Sequence, residues 1–141
     1  MARILVIDDN RDNLDLMQYL LRAFGHEALI ASGGESGVAL ARLERPALVV
    51  CDVHMPGADG YAVLQALRGD ALLRETPVLA VTALNMRGDR ERCLAAGFDG
   101  YLAKPIDPQT FVAHVETFLH RGAEVFAFGG DGGADGDDPG R

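Results

Sequence analysis

Five times along this chain a run of four to six residues rich in aliphatic side chains, at 4–7, 28–31, 47–51, 77–82 and 99–103, gives way to a longer stretch of helical character. Each run is too short for a helix and reads as a buried strand. After the first, Leu14, Met17, Leu21 and Phe24 recur at helical spacing, and Gly25 suits a left-handed stop. After the second come Val38, Leu40, Ala41 and Leu43, ended by Pro46; after the third, a Met-Pro-Gly-Ala-Asp-Gly loop and then Tyr61, Leu64 and Leu67. Pro77 opens the fourth strand, a charged helix is expected over 87–96, and Phe111, Val115, Phe118 and Leu119 mark the apolar face of the last helix.

Five strand–helix units with short connections cannot form an antiparallel meander. They imply a parallel sheet with right-handed crossovers and helices on both faces. The expected fold is therefore α/β: a flavodoxin-like, doubly wound, five-stranded parallel sheet in the order 2-1-3-4-5 with five helices. At 141 residues the chain has room for one such domain, expected over 1–121. Residues 122–141 form a Gly- and Asp-rich acidic tail with little to bury, expected to be disordered; Val-Phe-Ala-Phe at 125–128 is its one apolar stretch, read as loosely held. Half of the formal net charge of −8 sits in that tail, and the balance argues against direct DNA binding.

Three of the strands end on groups that handle phosphate and metal: Ile-Leu-Val-Ile runs into Asp8 and Asp9, Leu-Val-Val-Cys into Asp52, and Tyr-Leu-Ala into Lys104. Thr82 closes the fourth strand. In an open parallel sheet, ligands bind beyond the carboxyl ends of the strands, so these residues are expected to share one pocket. Clustered carboxylates repel unless a cation joins them, and Mg²⁺ keeps waters of its own and needs few protein ligands. The set suits a divalent metal and a phosphoryl group.

Asp-Asp after the first strand, Val-Val-Cys-Asp-Val-His-Met-Pro-Gly-Ala-Asp-Gly around the third, Ala-Val-Thr-Ala after the fourth and Gly-Tyr-Leu-Ala-Lys-Pro at the fifth together resemble a response-regulator receiver domain of two-component signalling, over about residues 3–120. The resemblance implies that Asp52 accepts a phosphoryl group from a sensor histidine kinase or a histidine phosphotransfer protein. It implies Mg²⁺ bound by Asp9, Asp52 and the backbone carbonyl of His54, with Asp8 contributing largely through water. Lys104 and the Thr82 hydroxyl would each meet a phosphoryl oxygen, Thr82 and Tyr101 would form the switch, and the bond before Pro105 would be cis. A downstream protein target follows, met on the fourth helix, fifth strand and fifth helix. Phosphorylation-linked dimerisation stays open. The implied protein is a phosphoacceptor regulator rather than an enzyme, its only chemistry being self-catalysed phosphotransfer and dephosphorylation.

The same residues admit other readings. Asp8 and Asp9 could simply cap the first helix; Lys104 could be an edge charge, and Tyr101 a half-buried strand tyrosine. An aspartyl-nucleophile phosphatase of the haloacid-dehalogenase type would place a second carboxylate two positions after the nucleophile, where this chain has His54. A flavin-binding flavodoxin needs a phosphate-cradling first loop, and this one is acidic. A receiver-like module unable to accept phosphate would not be expected to carry Asp9, Asp52, Thr82 and Lys104 together. With no output domain after residue 121, a stand-alone regulator or phosphorelay intermediate is expected, a receiver from a longer hybrid kinase being the alternative.

Cys51 and Cys93 lack the spacing of a zinc or redox motif and read as reduced, inert thiols. His26, His114 and His120 show no partner at ligand spacing. The absence of a signal peptide or membrane span points to the cytoplasm. The receiver-domain resemblance also implies that polar side chains two positions after the phosphorylated Asp and after the Thr can position an attacking water; here these are His54 and the apolar Leu84, and slow self-dephosphorylation is expected.

Overall fold

The computed structural model describes residues 2–83 and 88–128, with side chains through residue 119. In chain order the elements are β1 (Arg3–Ile7), α1 (Arg11–Ala23), β2 (Glu27–Ala31), α2 (Gly34–Glu44), β3 (Leu48–Asp52), α3 (Gly60–Arg68), β4 (Val78–Thr82), α4 (Asp89–Ala96), β5 (Gly100–Ala103) and α5 (Phe111–Phe128). All strand pairs are parallel, in the order β2-β1-β3-β4-β5. The flavodoxin-like winding expected from the alternation is the fold observed. No helix among the described residues is long and apolar enough to cross a membrane.

Strand alternation divides the interior into two cores. Ile4, Val6, Leu48, Val50, Leu79 and Val81 face α1 and α5, packing on Leu14, Met17, Leu21, Phe111, Val112 and Val115. Leu5, Ile7, Val49, Cys51, Val78 and Ala80 face the opposite way, onto Val63, Leu64 and Leu67 of α3, Ala41 of α2 and Cys93 of α4. Strands buried on both faces explain why their sequences read as unbroken aliphatic runs rather than alternating ones.

Two side chains depart from the expected apolar stripes. Phe24 is 62% exposed and Leu43 75% exposed. Phe24 is the C-cap of α1, with φ −102° and ψ 15°, so its side chain has left the helical face; Leu20 is buried in the helix body instead. Gly25 follows with φ +89°, the left-handed stop its sequence suggested. On α2 the buried positions are Gly34, Gly37 and Ala41, while Val38 and Leu40 pack against the same core only partly buried. A methyl group on Gly37 would lie 2.5 Å from Ile7 Cδ1, so the helix sits close to the sheet through small residues and leaves Leu43 outside.

The last helix runs on to Phe128 and takes in residues 122–128, which composition had assigned to the tail. Ala-Glu-Val-Phe-Ala-Phe offers nothing to break a helix already begun, and propagation is easier than nucleation. Residues 129–141 and Leu84 lie outside the described residues.

Candidate functional site

The strand register aligns the acidic residues before any side chain is considered. Ile7 pairs with Cys51, so Asp8, one step beyond β1, stands level with Asp52, the last residue of β3. Asp52 pairs with Val81, and Thr82 with Ala103, which brings Thr82 and Lys104 to the same end. Alternation then sorts the set by face. Asp8, Asp52 and Lys104 continue the rows of Ile4 and Val6, Leu48 and Val50, and Leu102, all on the α1/α5 side. Thr82 continues the row of Val78 and Ala80 on the other side, where Tyr101 also packs.

Backbone bonds fix each position. Asp8 N–H donates to Ala31 O at 3.1 Å, Val53 N–H to Val81 O at 2.9 Å, and Lys104 N–H to Thr82 O at 2.9 Å, extending the ladder to the functional residues. The Lys104–Pro105 peptide bond is cis. Asp8 Oδ1 accepts from Asn10 N–H at 2.8 Å, a turn that swings the chain toward α1. The cap of α1 is Asn10, whose Oδ1 accepts from Asn13 N–H at 3.0 Å, so capping is not the role of Asp8 or Asp9. Asn10 was legible as a cap, standing directly before the helix, but the aspartates beside it drew the sequence reading away.

The Lys104 ammonium lies 3.2 Å from Asp8 Oδ2 and 3.2 Å from Asp52 Oδ2. Asp8 is fully buried and Asp52 is 3% exposed, whereas Asp9 reaches solvent. One carboxylate oxygen from each of Asp8, Asp9 and Asp52 falls within 4.8 Å of the others. Asp52 Oδ1 also accepts from His54 N–H at 3.2 Å. Asp8 Oδ2 is buried, and among the described residues its polar contact is the Lys104 ammonium at 3.2 Å.

One cation therefore serves three clustered carboxylates, two of them out of water. Burial pushes the Asp52 carboxyl up to about 6, with the Asp8 charge adding to it and Lys104 and the His54 N–H pulling the other way. Burial works against the Lys104 charge, but Asp52 and Asp8 outweigh it and hold the ammonium above its ordinary range. Three clustered carboxylates, two of them buried, with a single ammonium among the described residues, are what a hard divalent cation with oxygen ligands would satisfy. The donor set fits Mg²⁺.

The remaining expected residues lie near this set. His54 is exposed in the loop after β3. Tyr101 is half-buried on β5, and burial, then Asp89 and Cys93, raise its hydroxyl pKa. A groove of about 340 Å³ runs beside it, lined among others by Pro105, Ile106, Thr110, Phe111 and His114. Both cysteines are free and buried; Cys51 Sγ donates to Asp52 O at 3.3 Å, and burial first, then Asp52, raises its pKa. His26, which no sequence spacing connected to anything, accepts from Ala2 N–H at Nδ1 (3.1 Å) and meets Glu116, ninety positions away, through Nε2 at 2.7 Å.

Residues 4–116 match the family model described as the response regulator receiver domain. The chain is 35% identical over 116 residues to the polar-differentiation response regulator DivK of Brucella anthropi, covering 82% of this chain and 94% of that one. Its fold is similar to a putative response regulator from Chloroflexus aurantiacus, with TM-score 0.80, 32% identity, and coverage of 85% of this chain and 98% of that one. It is also similar to the receiver domain of a sensor histidine kinase from Pseudomonas aeruginosa, with TM-score 0.73, 32% identity and coverage of 85% and 95%. That domain was solved with a magnesium ion coordinated in its active-site cleft.

Proposed function

The chain belongs to the response regulator receiver family, and on that premise we propose that it is a phosphorylation-controlled signalling switch with Asp52 as its phosphoacceptor. The observation that carries this reading is the Lys104 ammonium set 3.2 Å from both Asp8 and Asp52 at the common end of the sheet. Asp9 and Asp52 would hold Mg²⁺ together with the His54 carbonyl, and Asp8 would act through water. When bound, the metal neutralises charge on the transferring phosphoryl group and the carboxylates around it.

In the transfer, an Asp52 carboxylate oxygen forms the new bond to phosphorus while the bond to the imidazole nitrogen of a kinase or phosphotransfer histidine breaks. The product is an acyl phosphate. Phosphoryl transfer depends chiefly on positioning and charge compensation. Lys104 supplies a point charge to one equatorial oxygen and the Thr82 hydroxyl a hydrogen bond to another. The protein is thus a regulator whose own chemistry is limited to gaining and losing this group.

Thr82 and Tyr101 lie toward the same face of neighbouring strands, which supports a coupled movement. Phosphate draws the Thr82 hydroxyl inward, the Tyr101 ring turns into the space, and the surface of α4, β5 and α5 changes for a downstream protein. Driving such an equilibrium from 1:99 to 99:1 takes about 5.5 kcal/mol of differential interaction, within reach of a doubly charged group beside Lys104 and a metal. Of the two residues that follow Asp52 and Thr82 by two positions, His54 is exposed and Leu84 is apolar and cannot orient an attacking water, so self-dephosphorylation is slow.

Acetyl phosphate with Mg²⁺, followed by intact-mass measurement, tests the assignment. The wild-type chain gains one phosphoryl group and Asp52→Asn gains none; no adduct on the former, or an equal adduct on the latter, defeats it.

A further inference from the structure

Behind the loop that follows Asp52 lies a residue that no charge or motif picks out, a glycine on a different element. The loop between β3 and α3 carries the His54 N–H that meets Asp52 Oδ1. Its inner side is fixed by Val53 N–H to Val81 O and Gly60 N–H to Val53 O, both 2.9 Å, and by the burial of Val53 and Met55 in the core under α3. Gly60 allows this: a methyl group there would lie 2.6 Å from Asp52 O and 2.7 Å from Val53 Cα. The outer side of the loop has a different support. Ala58, near its far end, rests on Gly34 at the start of α2, where an added Cβ would overlap the Ala58 carbonyl oxygen and come within 2.8 Å of its Cβ.

We infer that Gly34 is a positioning residue: the bare first turn of α2 is the wall against which the β3–α3 loop is seated, and through that loop it sets the His54 backbone against Asp52. This rests on the reading of Asp52 and the His54 carbonyl as parts of a metal-assisted phosphoacceptor site. Gly34 has φ outside the left-handed region, so its requirement is space rather than conformation. A side chain there can be accommodated only by moving backbone, because the nearest obstacle is a carbonyl group and not the end of a flexible side chain. The backbone that must move, at Ala58, belongs to the same loop that carries His54.

The same helix contains a matched control. Gly37 also faces inward, but the atoms nearest an added methyl there are Cδ1, Cγ1 and Cγ2 of the buried Ile7 side chain, at 2.5, 2.8 and 3.1 Å, rather than the backbone of the β3–α3 loop. Alanine is by itself favourable over glycine in a helix at both positions. Gly34→Ala is therefore expected to shift the His54 amide resonance in the metal-free protein and to weaken Mg²⁺ binding about tenfold, the scale seen when the partners that orient metal ligands are disturbed. Gly37→Ala is expected to change thermal unfolding while keeping the wild-type His54 resonance and Mg²⁺ affinity. A wild-type resonance and affinity in Gly34→Ala, or equal losses in Gly37→Ala, would overturn the inference.

Should Gly34→Ala fail to fold, Ala58→Gly probes the same contact from the loop side without adding an atom. It removes the methyl seated on Gly34 and is expected to move the His54 resonance; an unmoved resonance overturns the inference. If the wild-type chain takes up no Mg²⁺, the metal-site reading fails, and the metal-free His54 resonance still decides the role of Gly34.

Discussion

Where the strands begin, charge is matched donor for acceptor; where they finish, it is not. The Arg68 guanidinium at the starting edge donates to Arg74 O, Thr76 O, Gly97 O and Asp99 Oδ2, and Asp99 accepts in addition from Val78 N–H. Arg3 bridges Glu27 and Glu44 nearby, and His26 is held between Ala2 and Glu116. At the finishing edge, among the described residues, Lys104 is the one cation that Asp8 and Asp52 share, 3.2 Å from each. The first edge ties the α3–β4 and α4–β5 connections together and stabilises the fold. The second holds charge that the fold leaves uncompensated, the signature of a place meant to receive something.

The contrast breaks most visibly at Arg68. Arg68→Ala removes the donor from three carbonyl oxygens and the cation from Asp99, and is expected to destabilise the domain by about 2–3 kcal/mol in urea unfolding; Arg68 and Asp99 are both partly exposed, so most of this comes from the lost carbonyl bonds rather than the ion pair. Mg²⁺ affinity should stay at its wild-type value. A loss of metal affinity in this variant would mean that the two edges are not independent.

A smaller effect sharpens the other side. Because the folded Asp52 carboxyl titrates at about 6, above its unfolded value of 3.8, the native state retains a proton that the unfolded state has released between those pH values. Stability therefore falls as pH rises through that window, and full ionisation costs about 2–3 kcal/mol at 1.36 kcal/mol per unit. Asp52→Asn lacks this dependence. In metal-free solution its stability should pull ahead of the wild type from about pH 4 to about pH 6; parallel pH curves for the two proteins would remove the cost assigned to Asp52.

The smallest effect belongs to Arg3, whose partners and own side chain are largely exposed. Arg3→Ala is expected to cost less than about 1 kcal/mol, and less again in high salt. A salt-independent loss of several kcal/mol would show that the starting edge relies on this ion pair more than its exposure allows.

The finishing edge was the more legible of the two from residues alone. Asp8, Asp52 and Lys104 each terminate an aliphatic run, and a parallel sheet gathers such ends, so counting strands was enough to bring them together. Thr82 followed for the same reason. The starting edge left no comparable trace: Arg68 and Asp99, or His26 and Glu116, are joined only by the way distant loops pack, and no local spacing encodes that. Phe24 and Leu43 show a related limit. Helical periodicity places a residue on a face, but the end of a helix and a neighbouring glycine decide whether that face is covered. Gly34 was invisible for a simpler reason, since its contribution is an absent side chain whose meaning depends on what approaches it.

The most direct test of the metal-dependent acidic edge is the unfolding free energy of wild type and Asp52→Asn at pH 7, each in chelator and in saturating Mg²⁺. In chelator the Asn variant should be the more stable. Mg²⁺ at a hundred times its dissociation constant should then stabilise the wild type by about 2.7 kcal/mol and the variant by much less, closing or reversing the gap. Equal stabilisation of both proteins by Mg²⁺, or of neither, would contradict the account.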